Sequence, residues 1–309
     1  GGCDMMLSYG SDQGLCPEAV RALSSLHGID LHHIEHGLMN PLAIYNRSLG
    51  NILEKFGYVL ETVINLTRDE TRGTDWNLRM QIYQTGLLHA LMEHMDDCES
   101  ILQCFYRKGI KLNVCPPIRE FKRSTHDYRT YIGKIVNHLK HSQGRLRSFA
   151  FFDDIMVYPG YFVEGPDDKG VLGPAPHIHK GGNTAFSFSR DLRYHFFSVY
   201  MVSHHLACAT LKITANAYQH CRLVPDASRI IRVASMFSKL PLVFFPDEMG
   251  KHIPTVTFEQ TAGDFALVLR YPDSTAHAAR IPSGVQCVAC YAGDGVSSAF
   301  RLPYFRPRN

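Results

Sequence analysis

The chain has no uninterrupted apolar run approaching the roughly 18 residues of a membrane-spanning helix, so we expect no membrane partner. It also shows no charged-then-apolar leader ahead of Pro17, from which a cytoplasmic location is expected. Its nine cysteines are odd in number and scattered over 309 residues, which argues against a disulfide framework. Cys287 and Cys290 form the one close pair, but in an apolar, strand-like run and without a second pair at zinc spacing. Missing too are a phosphate-cradling Gly-x-x-x-x-Gly-Lys-Ser/Thr loop, a dinucleotide fingerprint, a Gly-x-Ser-x-Gly elbow and a His-Glu-x-x-His helix. The enzyme classes built on those motifs lose ground, and no cofactor is expected. Internal repeats and low-complexity tracts are absent.

Net charge is small as well, only +3 over the whole chain, yet it is unevenly spread. Between Arg107 and Arg147 eleven lysines and arginines stand against only Glu120 and Asp127, leaving the remainder of the chain acidic. A cationic segment on an otherwise mildly acidic protein suits an anionic partner such as RNA; a solvated helix face with a basic loop would give the same pattern.

Hydrophobic periodicity predicts an α+β fold, with a bundle of four long helices, a β-rich insertion and a C-terminal antiparallel β region. Residues 1–16 have no period and are expected to be irregular. A short helix opens at Pro17 and ends before Gly28. Together they make an N-terminal segment, 1–40. Apolar residues at three- and four-residue spacings predict long helices over 41–67 and from Thr74-Asp75 toward Gly109, the second of them continuous or broken. Pro116-Pro117 is expected to bar helix, so the third is placed from about Ser124 to Gly144. Aromatic and β-branched runs at 149–152, 155–158, 161–163 and 185–188, separated by Gly and Pro, suggest an insertion at about 148–189. The fourth long helix then runs to residue 216 and completes a helical unit over 41–216. Residues 217–309 hold a helix over 227–239 and strands expected at 242–245, 255–258, 265–270, 285–291 and 297–302.

One stretch carries the most chemistry. Ser189 is suited to cap the fourth helix, placing Arg190 and Asp191 in its first turn, where the helix dipole favours an acid or a bound phosphate. Asp191 and His195 lie four apart on one face, so the carboxylate can orient the imidazole. Arg190 is about 140° around the helix from His195 and reaches it only by its side-chain length, a bent first turn or a second subunit. An ordinary helix start, with Asp191 complementing the dipole and His195 partly packed, accounts for the same residues. Near the end of the third helix, Asn137, His138, Lys140 and His141 gather polar groups on the basic segment. His177 and His179 alternate as strand neighbours do, but no third ligand accompanies them, so a metal site is the minority reading.

Arg190-Asp191-Leu192-Arg193-Tyr194-His195 at the head of a long helix resembles the motif of the HEPN ribonucleases, an arginine, four to six residues and a histidine. Asn137-x-x-Lys140-His141 is loosely similar to a signature of HEPN-like helical domains. A tyrosine two places beyond the motif histidine, found in one toxin branch of that family, is Phe197 here. The resemblance covers residues 41–216. It implies a metal-independent endoribonuclease, of the kind found in defence or toxin systems, whose two motifs meet across a homodimer. By that analogy His195 acts as acid or base, Arg190 stabilises phosphorane charge and Asp191 holds His195. RNA backbone contacts are expected from Arg129, Lys134, Asn137, Lys140, His141, Arg145 and Arg147. The alternative is a non-catalytic helical and β module that binds nucleic acid or a partner protein.

Overall fold

A computed structural model describes residues 5–68, 75–142, 144–152, 155–215, 226–249, 251–273, 286–288 and 300–304. The fold is mixed α+β. Strand β1 (Met5–Gly10) leads through a single turn to α1 (Glu18–Ser24). Helix α2 (Pro41–Thr67) starts where Asn40 accepts a hydrogen bond from the Leu42 backbone and Pro41 supplies the N1 residue, as fixed φ and a missing N–H favour. Helix α3 (Asp75–Gln103) is continuous, and α4 (Pro116–His141) follows.

The start of α4 corrects the expectation that two prolines bar helix. Pro116 and Pro117 occupy its first two positions, where no intrahelical donor is needed. The helix therefore begins eight residues earlier than the apolar period suggested.

Strands β2 (Leu146–Phe152) and β3 (Val157–Pro166) pair antiparallel from Leu146–Val163 to Phe152–Val157. Pro159-Gly160, expected to separate two strands, lies inside β3 opposite Ala150 and Phe149. A side chain on Gly160 would run into the Phe245 ring and the Phe186 carbonyl oxygen; glycine here lets the segment after α6 close over the strand. Strands β4 (Leu172–Pro174) and β5 (Phe186–Ser187) both pair with β3. The second pairing joins β3 to the start of α5 (Phe188–Thr214). After α6 (Ser228–Phe237), residues 242–245 make only an isolated bridge instead of the expected strand, and Pro246–Glu248 form a single 3-10 turn. A hairpin of β6 (Ile253–Thr261) and β7 (Asp264–Asp273) follows, then β8 (Gln286–Val288).

Two results depart from the expected division of the chain. The supposedly irregular N-terminus supplies β1, which pairs antiparallel with β7 to give the order β1-β7-β6, and β8 joins the insertion beside β2. The three sequence segments also share one core, with Leu7, Phe56, Ile132, Tyr161, Phe196 and Leu269 in the same buried cluster. A smaller cluster of Phe149, Phe151, Tyr158, Phe162 and Phe245 fills the other side of the β2–β3 pair. That is why both strands are apolar nearly throughout, since period two alternates between two buried faces. Helix α5 packs against α1, α3, α4 and β3, so its inward residues lie at the centre.

Among the described residues no helix is long and apolar enough to cross a membrane.

Candidate nucleic-acid interface

The cap of α5 is Ser187, two residues before the expected Ser189. Its hydroxyl accepts from the Arg190 backbone at 3.2 Å while its own N–H donates to Glu248 at 3.2 Å. Asp191 and His195 consequently face inward, 2% and 0% exposed. The Asp191 carboxylate accepts from Tyr161 Oη at 2.6 Å, Tyr131 Oη at 3.0 Å and Gln84 Nε2 at 3.1 Å. His195 Nε2 lies 3.3 Å from the same carboxylate, off the line of a hydrogen bond, and Nδ1 is 3.0 Å from Tyr128 Oη.

Burial pushes the Asp191 carboxyl upward, but His195 and the two tyrosine hydroxyls outweigh it and hold the carboxyl below its usual range. The same burial, together with the Asp191 charge, raises Tyr161 and Tyr131 well above a free phenol, so both remain donors. Asp191 is thus an ionised node that ties α5 to α3, α4 and β3.

Arg190 does not join this node. Its Nη2 reaches the His252 carbonyl at 3.5 Å and its guanidinium lies 6.0 Å from the Tyr194 ring centroid. The wide angle around the helix is not bridged, and the expected catalytic trio of Arg190, Asp191 and His195 is corrected to a half-exposed arginine and a sealed Asp–His pair. A scissile phosphate has no approach to a ring with no exposed surface.

The basic segment divides. Arg147 is buried in an ion pair with Glu164, 2.6 Å from Nε to Oε2, and is removed from the expected RNA contacts. Arg129 bridges Asp96 at 2.8 Å and Glu99 at 3.3 Å, so its charge is already answered. Lys134, Asn137, Lys140 and His141 are exposed on α4, and Arg145 is exposed just beyond it. Arg119, Arg123, His126 and Thr130 continue the same exposed line toward the helix start.

Spaced by three and four residues, Arg119, Arg123, His126, Thr130, Lys134, Asn137 and His141 fall within about 80° of one another around the helix and span about 33 Å along it. Among the described residues Arg119, Arg123, Lys134 and Lys140 have no carboxylate at ion-pair distance. Of the two acids on α4, Glu120 is engaged by Lys212 and Asp127 borders the stripe.

At its C-terminal end the stripe meets an open depression of ≈ 510 Å³ lined by Lys134, Asn137, His138, His141, Ser142 and His177. His138 is buried, its Nε2 2.7 Å from the Glu164 carbonyl, and its ring centroid is 4.7 Å from that of His177. Burial, then His138 and Lys134, lower the His177 pKa, so its ring is neutral at pH 7. His179 turns elsewhere: its Nε2 accepts from the Val163 N–H at 2.8 Å, and burial takes its pKa down to about 3. His177 and His179 therefore do not share a site, and among the described residues no three His, Cys, Asp or Glu side chains gather as metal ligands. Cys287 lies in β8, while Cys290 is outside the described residues.

The placement of α4's start hid Arg119 and Arg123 from the helical pattern in sequence reading. With helix begun at residue 116, the spacing of Arg119, Arg123 and His126 continues that of Lys134, Asn137 and His141. The contribution of His177 had no comparable signal, because a loop 36 residues further along the chain brings it to the helix.

No family model, no curated protein and no solved structure matches this chain.

Proposed function

We propose that the protein binds RNA through the exposed face of α4. The observation that carries this reading is the line of cations without carboxylate partners, Arg119, Arg123 and Lys134 with Lys140 beside them, on a helix held by the core along its opposite side. Unanswered surface charge attracts a polyanion and releases its counterions on contact, so affinity falls as salt rises. The likeness to HEPN-like helical domains, in which Asn137, Lys140 and His141 form part of the signature, points the same way and favours RNA among polyanions. The test is RNA binding across a salt series by the wild type and by Arg123→Glu and Lys134→Glu. Each reversal should weaken binding and reduce the slope of log affinity against log salt by about 1. Unchanged affinity in both folded variants would remove the proposal.

A second reading, metal-independent RNA cleavage, is favoured by the depression at the end of α4. There His141, His177 and Lys134 are accessible, as His195 is not. A neutral His177 can take the ribose 2′-hydroxyl proton as the 2′-oxygen attacks phosphorus, His141 in the same depression can supply a proton to the departing 5′-oxygen, and Lys134 faces the phosphate charge. The products would carry 2′,3′-cyclic phosphate ends. Incubation of total RNA in EDTA with His141→Ala, His177→Ala and His195→Ala decides the matter, since this reading requires loss in the first two. Sedimentation in the same buffer reports whether two depressions are brought together in a homodimer.

A further inference from the structure

The exposed face of α4 carries charge, hydrogen-bonding groups and the imidazoles of His126 and His141, but no Phe, Tyr or Trp ring. Its two central tyrosines turn inward: Tyr128 to His195 at 3.0 Å and Tyr131 to Asp191 at 3.0 Å. Sequence-tolerant single-strand binders lay bases on aromatic platforms inside a basic groove. Here the cations crown a convex ridge, because Ile132, Ile135 and Val136 on the opposite side are buried in the core. From Arg119 to Thr130 the ridge has no walls to cradle a strand and no Phe, Tyr or Trp platform to hold an unstacked base.

Such a ridge fits a duplex. An α-helix with its side chains is about 10–12 Å across, and the shallow, wide minor groove of A-form RNA offers phosphates with 2′-hydroxyls between them. The stripe matches this alternation in kind. Arg119, Arg123 and Lys134 are suited to phosphates, while Thr130 and Asn137, set among them, can each donate to or accept from a ribose hydroxyl.

Resting on the RNA-binding reading above, we propose that α4 recognises double-stranded RNA by its backbone and ribose hydroxyls, without reading bases. Without a Phe, Tyr or Trp platform, the surface gives a single strand little stacking to compensate for its disorder. The loss of even one stacked base corresponds to about tenfold or more in affinity.

The experiment is fluorescence anisotropy with labelled 20-base-pair RNA duplexes of two unrelated sequences, their separate strands, and the corresponding DNA duplex. The two RNA duplexes should bind alike, about tenfold tighter than either strand. The DNA duplex should bind more weakly, and Thr130→Val with Asn137→Ala should narrow the gap between RNA and DNA duplexes. Both substitutions are at exposed positions, and far-ultraviolet circular dichroism verifies their folding. Single strands bound as tightly as duplexes would overturn the duplex assignment while leaving RNA binding in place. Equal binding of RNA and DNA duplexes would overturn the ribose contacts. Failure of the wild type to bind any of the probes would overturn the underlying RNA-binding reading itself.

Discussion

Replacing Asp191 by alanine should unfold this protein more readily without touching the exposed face of α4. The substitution strips the acceptor from Tyr161 Oη, Tyr131 Oη and Gln84 Nε2, all of which point at a carboxylate that is 2% exposed. A buried donor left without a partner costs about 1–3 kcal/mol. The three losses share one centre and do not simply add, so the total is set at about 3–5 kcal/mol, the range found when a buried charged network is broken. Against a whole-domain stability of about 5–15 kcal/mol that is a large fraction, equivalent to a fall in Tm of about 5–8 °C for a chain of this length. Differential scanning calorimetry at pH 7 measures it directly. Asp191→Asn retains an acceptor for one tyrosine and should lose only about 1–3 kcal/mol. Below the lowered Tm, both variants should bind RNA as the wild type does. An Asp191→Ala protein with unchanged Tm would refute the account of the node, and one that kept its Tm but lost RNA cleavage would return Asp191 to the chemistry.

Glu248 should make stability fall with rising pH. Its carboxyl is 2% exposed and burial pushes its pKa up to about 7, against the Phe245 and Ser187 N–H groups that favour the ion. The folded protein therefore binds a proton that the unfolded chain releases near the ordinary carboxyl value of about 4.3. This contribution is complete below that value and is lost as pH rises toward 7, amounting to about 3–4 kcal/mol. Denaturant titrations from pH 5 to 8 should show the fall in wild type and a flatter profile in Glu248→Gln. Arg147→Ala should lower Tm, because it leaves the Glu164 carboxylate buried without its partner at about 3–5 kcal/mol; it should not alter the salt dependence of RNA binding.

Helix 41–67 and the start of the next at Asp75 were legible because their apolar residues repeat at three and four and their first turns carry recognisable chemistry, Pro41 in one and Thr74-Asp75 in the other. The bounds of α4 were not, since Pro116-Pro117 is a barrier inside a helix and an asset at its first turn, and local sequence does not say which applies. Asp191 and His195 were identifiable as partners from their four-residue spacing. That they would be sealed was a tertiary matter: Tyr161 from β3 and Gln84 from α3 close over them. Arg147 and Lys134 look alike as basic residues, yet one ends beside Glu164 and the other in solvent. The difference arises from Glu164, seventeen residues along in a facing strand. Strand β1 escaped notice because six residues without a clear alternation acquire their partner only from β7.

That last pairing has a consequence in time. Met5 and Tyr271 are register partners 266 residues apart in the chain. A ribosome working at about 5–20 residues per second needs roughly 10–50 s to make the intervening sequence. For that interval Leu7 and Tyr9, later buried, have no sheet to join, and the ladder of β1 stands open to any other strand. Strand β1 is therefore made well before the partner it needs, and its edge stays open to other pairings until β7 has emerged.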